Sequence, residues 1–282
     1  MHEVLYDVAV AEADETAMQR EITWFKGNPM ESWVVMDQAI NAMALGHLRR
    51  SRDLFEHART LALKQDLKEF AGAITGDQAG SEADLGNARE ARKLVESSLQ
   101  LMPDSPDLKA SAALALARSG DVERATALAE ESARLKPLNL KLNNVTLASA
   151  RAAIELDRKN PAGAIAQLQR ALPYDLSTGA NGSTIYYRGL AFLELNSGKE
   201  AEAQFQRILN NPSFTGNVYW PLAHLGLARA NALQARTEQR AAADAARARA
   251  LAAYRDFLAL WKDADPDIPI LKQAKAEYAK LQ

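Results

Sequence analysis

The sequence predicts an all-α protein, a superhelical solenoid of about six or seven helical hairpins with a C-terminal capping helix. Three observations carry this. Gly120 follows Gly86 by 34 residues, and Pro137 follows Pro103 by the same distance; a fixed period near that length marks stacked helical hairpins. Hydrophobic residues make up 48% of the 282, yet aromatics only 6%, and alanine is abundant. That balance suits close-packed helices, since alanine is the best helix former and a poor strand former. Finally, one order of small residue, turn, small residue, bulky residue and stop recurs along most of the chain.

The hairpins follow in order. Residues 1–29 read as a degenerate opening hairpin turning near Ala13–Asp14. Residues 30–65 hold Ala39, Gly46, Ser51, Phe55 and Ala58. Residues 72–103 hold Ala79, the turn Gly86–Asn87, Ala91, Val95 and Pro103. Residues 106–137 repeat this with Ala113, Gly120–Asp121, Ala125, Ala129 and Pro137. Residues 142–173 use Ala152, Asn160–Pro161, Ala164, Leu168 and Pro173. The clearest unit, 182–213, holds Ile185, Gly189, Phe192, Ala201, Phe205 and Pro212. There Gly189 and Ala201 are expected where two helices cross, because only small side chains let the backbones approach, with Phe192 and Phe205 filling the space beside them. Residues 220–262 carry Ala228, Asn231, Ala250, Tyr254 and Phe257, and 267–282 form the cap.

Turn chemistry supports these limits. Gly46, Gly86, Gly120 and Gly198 are each expected to take the left-handed conformation that ends a helix. Asp104, Ser105 and Pro106 read as a stop followed by a helix start. The reading gives 12 to 14 helices and no strands. Spacing is uneven, 40 from Gly46 to Gly86 and 39, 37 and 49 between Ala125, Ala164, Ala201 and Ala250. The longest insertion, 237–249, is strongly helix-forming and should extend the last hairpin. The segment LPYDLSTGANGSTIYY (172–187) is long for a helical connection, and such loops often carry function on a rigid scaffold.

The units resemble tetratricopeptide repeats over nearly the whole chain, which implies a right-handed superhelix with a peptide-binding groove. YRGLAFLELNSGKEAEAQFQRIL, AHLGLARANALQ and YRDFLALWKDADPDIPILKQAKAEYAKLQ are similar to the C-terminal repeat region of bacterial serine/threonine kinases of eukaryotic type. This implies a sensor or interaction region, extracytoplasmic if the natural protein is a membrane-anchored kinase and cytoplasmic otherwise. The Met1–His2 opening and the lack of a signal peptide suit an excised fragment. Kinase motifs are missing: no GxGxxG loop, VAIK, HRD or DFG.

Composition excludes several chemistries. Net charge is −2, from 34 basic and 36 acidic residues, so neither nucleic acid nor a membrane surface is implied as partner. With no cysteine there are no disulfides, thiolate metal sites or cysteine nucleophile. His2, His47, His57 and His224 form no metal spacing. Asp263, Asp265 and Asp267 imitate a calcium loop, but Ile268 and Ala274 stand where glycine and glutamate are required; Asp267 is read instead as helping to start the closing helix. No catalytic residue, metal or cofactor is expected. Arg236, Arg240, Arg247, Arg249 and Arg255 form one basic stretch, read as a solvated helix face.

The leading expectation is therefore a non-enzymatic scaffold binding a protein or peptide. By the resemblance, the groove is lined by the first helix of each hairpin, placing Arg118, Asn144, Ser149, Tyr186, Glu194 and Arg229 along it, with at most one of Tyr186 and Tyr187 facing it. Gly72, Gly76 and Gly80 are read as a bare stripe that lets a ligand backbone approach, so Gly76→Leu should abolish binding while sparing stability; close helix packing is the alternative. Two rival functions stay open. One is a small-molecule sensor with a pocket near Tyr186 and His224. The other is homodimerisation through an apolar N-terminus bearing Val4, Leu5, Val8 and Val10.

Overall fold

A computed structural model describes residues 1–177 and 180–282. Among them lie fifteen α-helices and no strand, slightly more helices than the sequence suggests. They are α1 His2–Ala11, α2 Glu15–Phe25, α3 Glu31–Ala44, α4 Leu48–Lys64, α5 Lys68–Asp84, α6 Ala88–Leu101, α7 Pro106–Arg118 and α8 Val122–Leu135. After these come α9 Leu147–Asp157, α10 Pro161–Leu168, α11 Ser183–Glu194, α12 Gly198–Leu209, α13 Tyr219–Thr237, α14 Arg240–Leu260 and α15 Pro269–Leu281. Sequential helices pair, and each odd-numbered helix from α5 to α13 also touches the next odd-numbered one. This is the all-α solenoid the sequence predicts.

One turn is used repeatedly. Ala13, Gly46, Asp66, Gly86, Gly120, Lys159 and Asn196 all have φ between 55° and 91°. At each, the following residue's N–H donates to the carbonyl five positions back, as in His47 to Ala42, Asn87 to Glu82 and Ser197 to Phe192. This bond satisfies a carbonyl that a helix end leaves orphaned. The expectation for Gly198 is corrected: Asn196 takes the left-handed conformation, and Gly198 opens α12. A Cβ on Gly198 would lie 2.8 Å from Gln234 Cγ and 3.1 Å from the Ala230 carbonyl, so its role is close packing on α13. The crossing expected at Gly189 is present, where a Cβ would meet the Phe205 ring at 2.6 Å. Gly226 on α13 presses on the same ring at 2.5 Å, so Phe205 lies between two glycines.

The helix continuing into α9 begins with a π-helical turn, Leu142–Thr146, which the sequence does not announce. Asn143 Nδ2 donates to the carbonyls of Lys136 and Asn139 there, at 2.8 and 2.9 Å. Further on, 237–249 does extend the last hairpin, broken only at Glu238 and Gln239. In the 172–187 segment, Thr178 and Gly179 lie outside the described residues. The rest is anchored: buried Asp175 accepts from Thr184 Oγ1 at 2.8 Å, from Arg188 Nη1 at 2.9 Å and from Arg207 Nη2 at 2.9 Å.

The solenoid curls until its two halves touch. Trp261 Nε1 donates to the Ala44 carbonyl at 2.8 Å, and the Asp265 N–H donates to the Gly46 carbonyl at 2.9 Å. The Arg49 N–H donates to Asp265 Oδ2 at 2.8 Å, and the Ile270 N–H to the Leu85 carbonyl at 3.2 Å. Gly46 and Gly86 thus do two jobs. Each takes the left-handed turn, and each leaves room for the returning chain: a Cβ on Gly46 would sit 2.5 Å from Ala264 Cβ, and one on Gly86 3.0 Å from Pro269 Cβ. Asp267 does not cap α15, whose N-cap is Ile268 with Pro269 at its first turn; Asp267 reaches Arg49 Nη2 at 3.4 Å. Nor is α15 only a polar cover. Ile268, Ile270, Leu271 and Ala274 are buried in the main core, while Lys272, Lys275 and Lys280 face solvent. At the other end, α1 closes on the turn Pro212–Phe214, where Gly216 would crowd Val10 if it carried a Cβ. One continuous core therefore joins Tyr6 and Phe25 to Trp261 and Leu271.

Candidate functional site

Closure turns much of the expected groove into interior. At its centre the carboxylate of Asp84, the last residue of α5, accepts four close contacts. Arg118 Nε donates to Oδ1 at 2.9 Å, the Tyr187 hydroxyl lies 3.0 and 2.9 Å from the two oxygens, and the Tyr219 hydroxyl donates to Oδ2 at 3.0 Å. The Arg118 guanidinium also lies 5.7 Å from the Tyr187 ring centroid. Helices α5, α7, α11 and α13 thus meet at one anion. Burial pushes the hydroxyls of Tyr187 and Tyr219 well above the ordinary phenol range, and the nearby Asp84 charge adds to it. Both tyrosines therefore remain donors at neutral pH, as a buried carboxylate requires.

The expected groove residues separate accordingly. Tyr186 is 2% exposed and packs on Tyr187, Phe205 and Tyr219. Burial pushes its hydroxyl up to about 12. Neither Tyr186 nor Tyr187 faces a ligand, because α13 covers both. Ser149 is buried with its Oγ 3.4 Å from Ser183 Oγ. Asn144 is half-buried in the π-helical turn. Glu194 is exposed at the end of α11, 3.9 Å from Lys159 Nζ. His224 is half-buried beneath Trp220, and burial lowers its pKa, so it is neutral at pH 7. Tyr186 and His224 line neither of the two open clefts described below.

The glycine stripe is also split. A Cβ on Gly72 would lie 2.5 Å from Leu108 Cδ1, and its carbonyl accepts from Ser98 Oγ at 2.8 Å. Gly76 is buried against Ser111 and Ser98, 3.5 and 3.6 Å from a built Cβ. Both positions serve helix packing, so leucine at Gly76 would strike α7 before any ligand. Gly80 has open space around it.

What remains accessible on the inner wall is acidic. Asp37 on α3 lies near Asp7 and Glu3 on α1 and Asp77 on α5, and among the described residues no ion pair forms with Asp7, Asp37 or Asp77. Burial, followed by the charges of Asp7, Glu3 and Asp77, pushes the Asp37 carboxyl up to about 7. Water reaches Asp77, but the curled walls displace enough solvent to raise its carboxyl to about 6. Beside this wall Trp33 stacks on Phe70, with centroids 4.9 Å apart. Among the described residues no cluster of three or more histidine, aspartate or glutamate side chains is arranged to hold a metal ion.

Two open clefts lie at the ends of the curl. One, about 900 Å³, separates α2 from α3 and α4, with Tyr6, Gln38, Asn41, Arg20 and Arg50 on its walls. The other, about 720 Å³, lies between α13, α14 and α15 and contains Arg229. There Arg229 donates to both oxygens of Glu277 at 2.9 and 3.1 Å, and the Tyr254 hydroxyl adds a third bond at 2.9 Å. Sequence mapping reached Arg229 but missed this cleft, because Glu277 comes from the returning helix.

No protein-family model matches the sequence, and no curated protein matches it. Among solved structures, the fold is similar to that of a tetratricopeptide repeat protein from Parabacteroides merdae ATCC 43184. The identity is 14% and the TM-score 0.50, with 99% of this chain and 98% of that chain covered. At that identity the likeness concerns architecture alone: a solenoid of paired helices of the tetratricopeptide kind.

Proposed function

We propose that the chain is a non-catalytic scaffold that binds a protein or peptide segment at the edges of its curl. The observation that supports this most is the division of the inner face. Its centre is filled by the Asp84 knot, while two half-open clefts border preformed, well-packed helices. A rigid surface loses little ordering entropy on association, which favours recognition of another chain. Tetratricopeptide-like architecture fits the same role. The test is capture from an extract of the source cells by immobilised chain, with heat-unfolded chain as control, followed by calorimetry on the purified partner. A saturable partner supports the scaffold; no protein retained above the unfolded control refutes it.

The finer reading, an interaction region of a bacterial serine/threonine kinase, rests on the resemblance of the C-terminal third. Reading the gene upstream of Met1 tests it, since a kinase-coding frame there is required. A self-assembly reading has an observation of its own. Val4 is 62% exposed and Val8 46% exposed on one side of α1, with Leu5 beside them, whereas Val10 is used internally against Gly216. Light scattering across a concentration series, with Val4→Glu and Val8→Glu together as the control, separates a dimer from a monomer.

A further inference from the structure

The basic stretch between residues 236 and 255 does not behave as one solvated face. Arg249 is spent on neutral partners, Asn231 Oδ1 at 2.7 Å and Gln234 Oε1 at 3.2 Å. Arg236 on α13 and Arg247 on α14 turn into the 720 Å³ cleft, and α15 brings Lys280 to the same rim. Three helices therefore contribute one cation each. Among the described residues no side-chain carboxylate pairs with any of the three; Arg247 donates to the main-chain carbonyl of Leu281 and to an oxygen of the terminal carboxyl group of Gln282, which leaves Arg236 and Lys280 as the rim cations with no acidic partner. The single acid of the cleft, Glu277, is already saturated by Arg229 and Tyr254. The cleft is thus electropositive although the whole chain has net charge −2. Its floor is apolar, from Leu193, Leu233 and Leu281.

We propose that this cleft binds an acidic peptide segment in which carboxylates alternate with apolar side chains, a proposal that rests on the scaffold reading above. The charges select the occupant. Cations spread over three helices around an opening of this size match several carboxylates along an extended chain, whereas one small oxyanion would engage only part of the rim. The apolar floor asks for side chains that a free phosphate or a purely charged polymer does not have. Charge complementarity at such a rim acts on encounter rate and specificity and weakens with salt.

The experiment is fluorescence anisotropy on the full chain with labelled twelve-residue peptides: alternating Glu and Leu, alternating Lys and Leu, and alternating Glu and Ser. Variants are Arg236→Glu, Lys280→Glu and their combination, with Lys64→Glu as a control remote from the cleft. All three altered side chains are exposed, so folding is preserved, and melting curves verify it. The expected result is binding of the Glu–Leu peptide alone, weakened at least about tenfold by the double reversal and by raised salt, and unchanged by Lys64→Glu. The proposal is overturned if the Glu–Leu peptide fails to bind, if the double variant binds it equally, if the Glu–Ser peptide binds as well, or if inorganic phosphate displaces it at comparable concentration. Running the double variant in the extract capture separates the two readings. A partner kept equally by both proteins preserves the scaffold and rejects this cleft. Peptide binding without any captured protein does the reverse.

Discussion

Replacing Asp37 by asparagine should stabilise the protein, and the gain should depend on pH in a defined direction. Asp37 shares the inner wall with Glu3, Asp7 and Asp77, and its carboxyl is pushed from an ordinary 3.8 up to about 7 by burial and then by those charges. A carboxyl raised in the folded state favours folding when protonated. Its contribution is fully present below about pH 4 and is lost progressively as pH rises through 7. The shift of about three units corresponds to a ceiling of about 4 kcal/mol at high pH, at roughly 1.4 kcal/mol per unit. Linkage puts about 1.5 kcal/mol of that loss below pH 5 and the remainder, about 2.5 kcal/mol, between pH 5 and pH 8. Water in the curl and relaxation of α1 reduce the second figure to about 2 kcal/mol. Asparagine keeps the shape and carries no charge at either pH. With about 2.1 cal/mol/K of unfolding entropy per residue, a chain of this length shifts by roughly 1 °C for each 0.6 kcal/mol. Asp37→Asn should therefore raise Tm by about 3 °C more at pH 8 than at pH 5, read by calorimetry on both proteins. An equal shift at both pH values, or a loss at pH 8, would show that the four acids do not repel across this wall.

Three further outcomes follow from the packing. Gly80→Ala should raise stability by about 1 kcal/mol from helix propensity alone, since open space surrounds it; Gly72→Ala should lower it by about 1–2 kcal/mol, because Leu108 must leave its buried rotamer, and denaturant midpoints of the pair test the contrast. Gly226→Ala should cost about 2–3 kcal/mol by displacing Phe205, which is pressed equally by Gly189, and melting temperature reads it. Asp84→Ala should cost about 3–5 kcal/mol by leaving Arg118 and two phenols without their acceptor, with increased amide exchange at the ends of α5, α7 and α13 in deuterium labelling.

The local grammar of this fold was legible because it is short-range. Turns at Gly46, Gly86, Gly120 and Asn160 depend on a few adjacent residues, and the fit of Phe205 against Gly189 lies within one hairpin. Less legible were turns whose left-handed residue is not glycine. Lys159 and Asn196 look like ordinary surface residues, and only the helix stop around them marks the place. The site was read poorly for a different reason. Mapping first-helix positions onto a groove assumes an open array, and in an open array Tyr186, Ser149 and Arg118 would face water. Here they face other helices. The contacts that close the curl join residues 185 to 219 positions apart, such as Ile270 with Leu85 and Asp265 with Gly46, and no periodicity encodes them. One signal was available: Ile268, Ile270, Leu271 and Ala274 give the closing helix an apolar side too strong for a polar cap.

Closure also changes what kind of recognition the molecule can perform. An open superhelix offers its inner face to a ligand and can adjust its pitch, because each repeat touches only its neighbours. In this chain the returning segment, residues 261–271, bonds to the turns after α3 and α5, and the Asp84 knot ties four inner helices together. Pitch change would break these bonds and bare the buried pair of Arg118 and Asp84, so inner-face binding by flexing carries a large cost. The surfaces that closure creates are different. The cleft holding Arg236, Arg247 and Lys280 exists only because α15 folds back beside α13 and α14, and Glu277 from that helix neutralises Arg229 while leaving Arg236 and Lys280 free. The same step that removes the inner groove therefore builds the new one, and a variant that releases α15 should lose the cleft before it loses the hairpins.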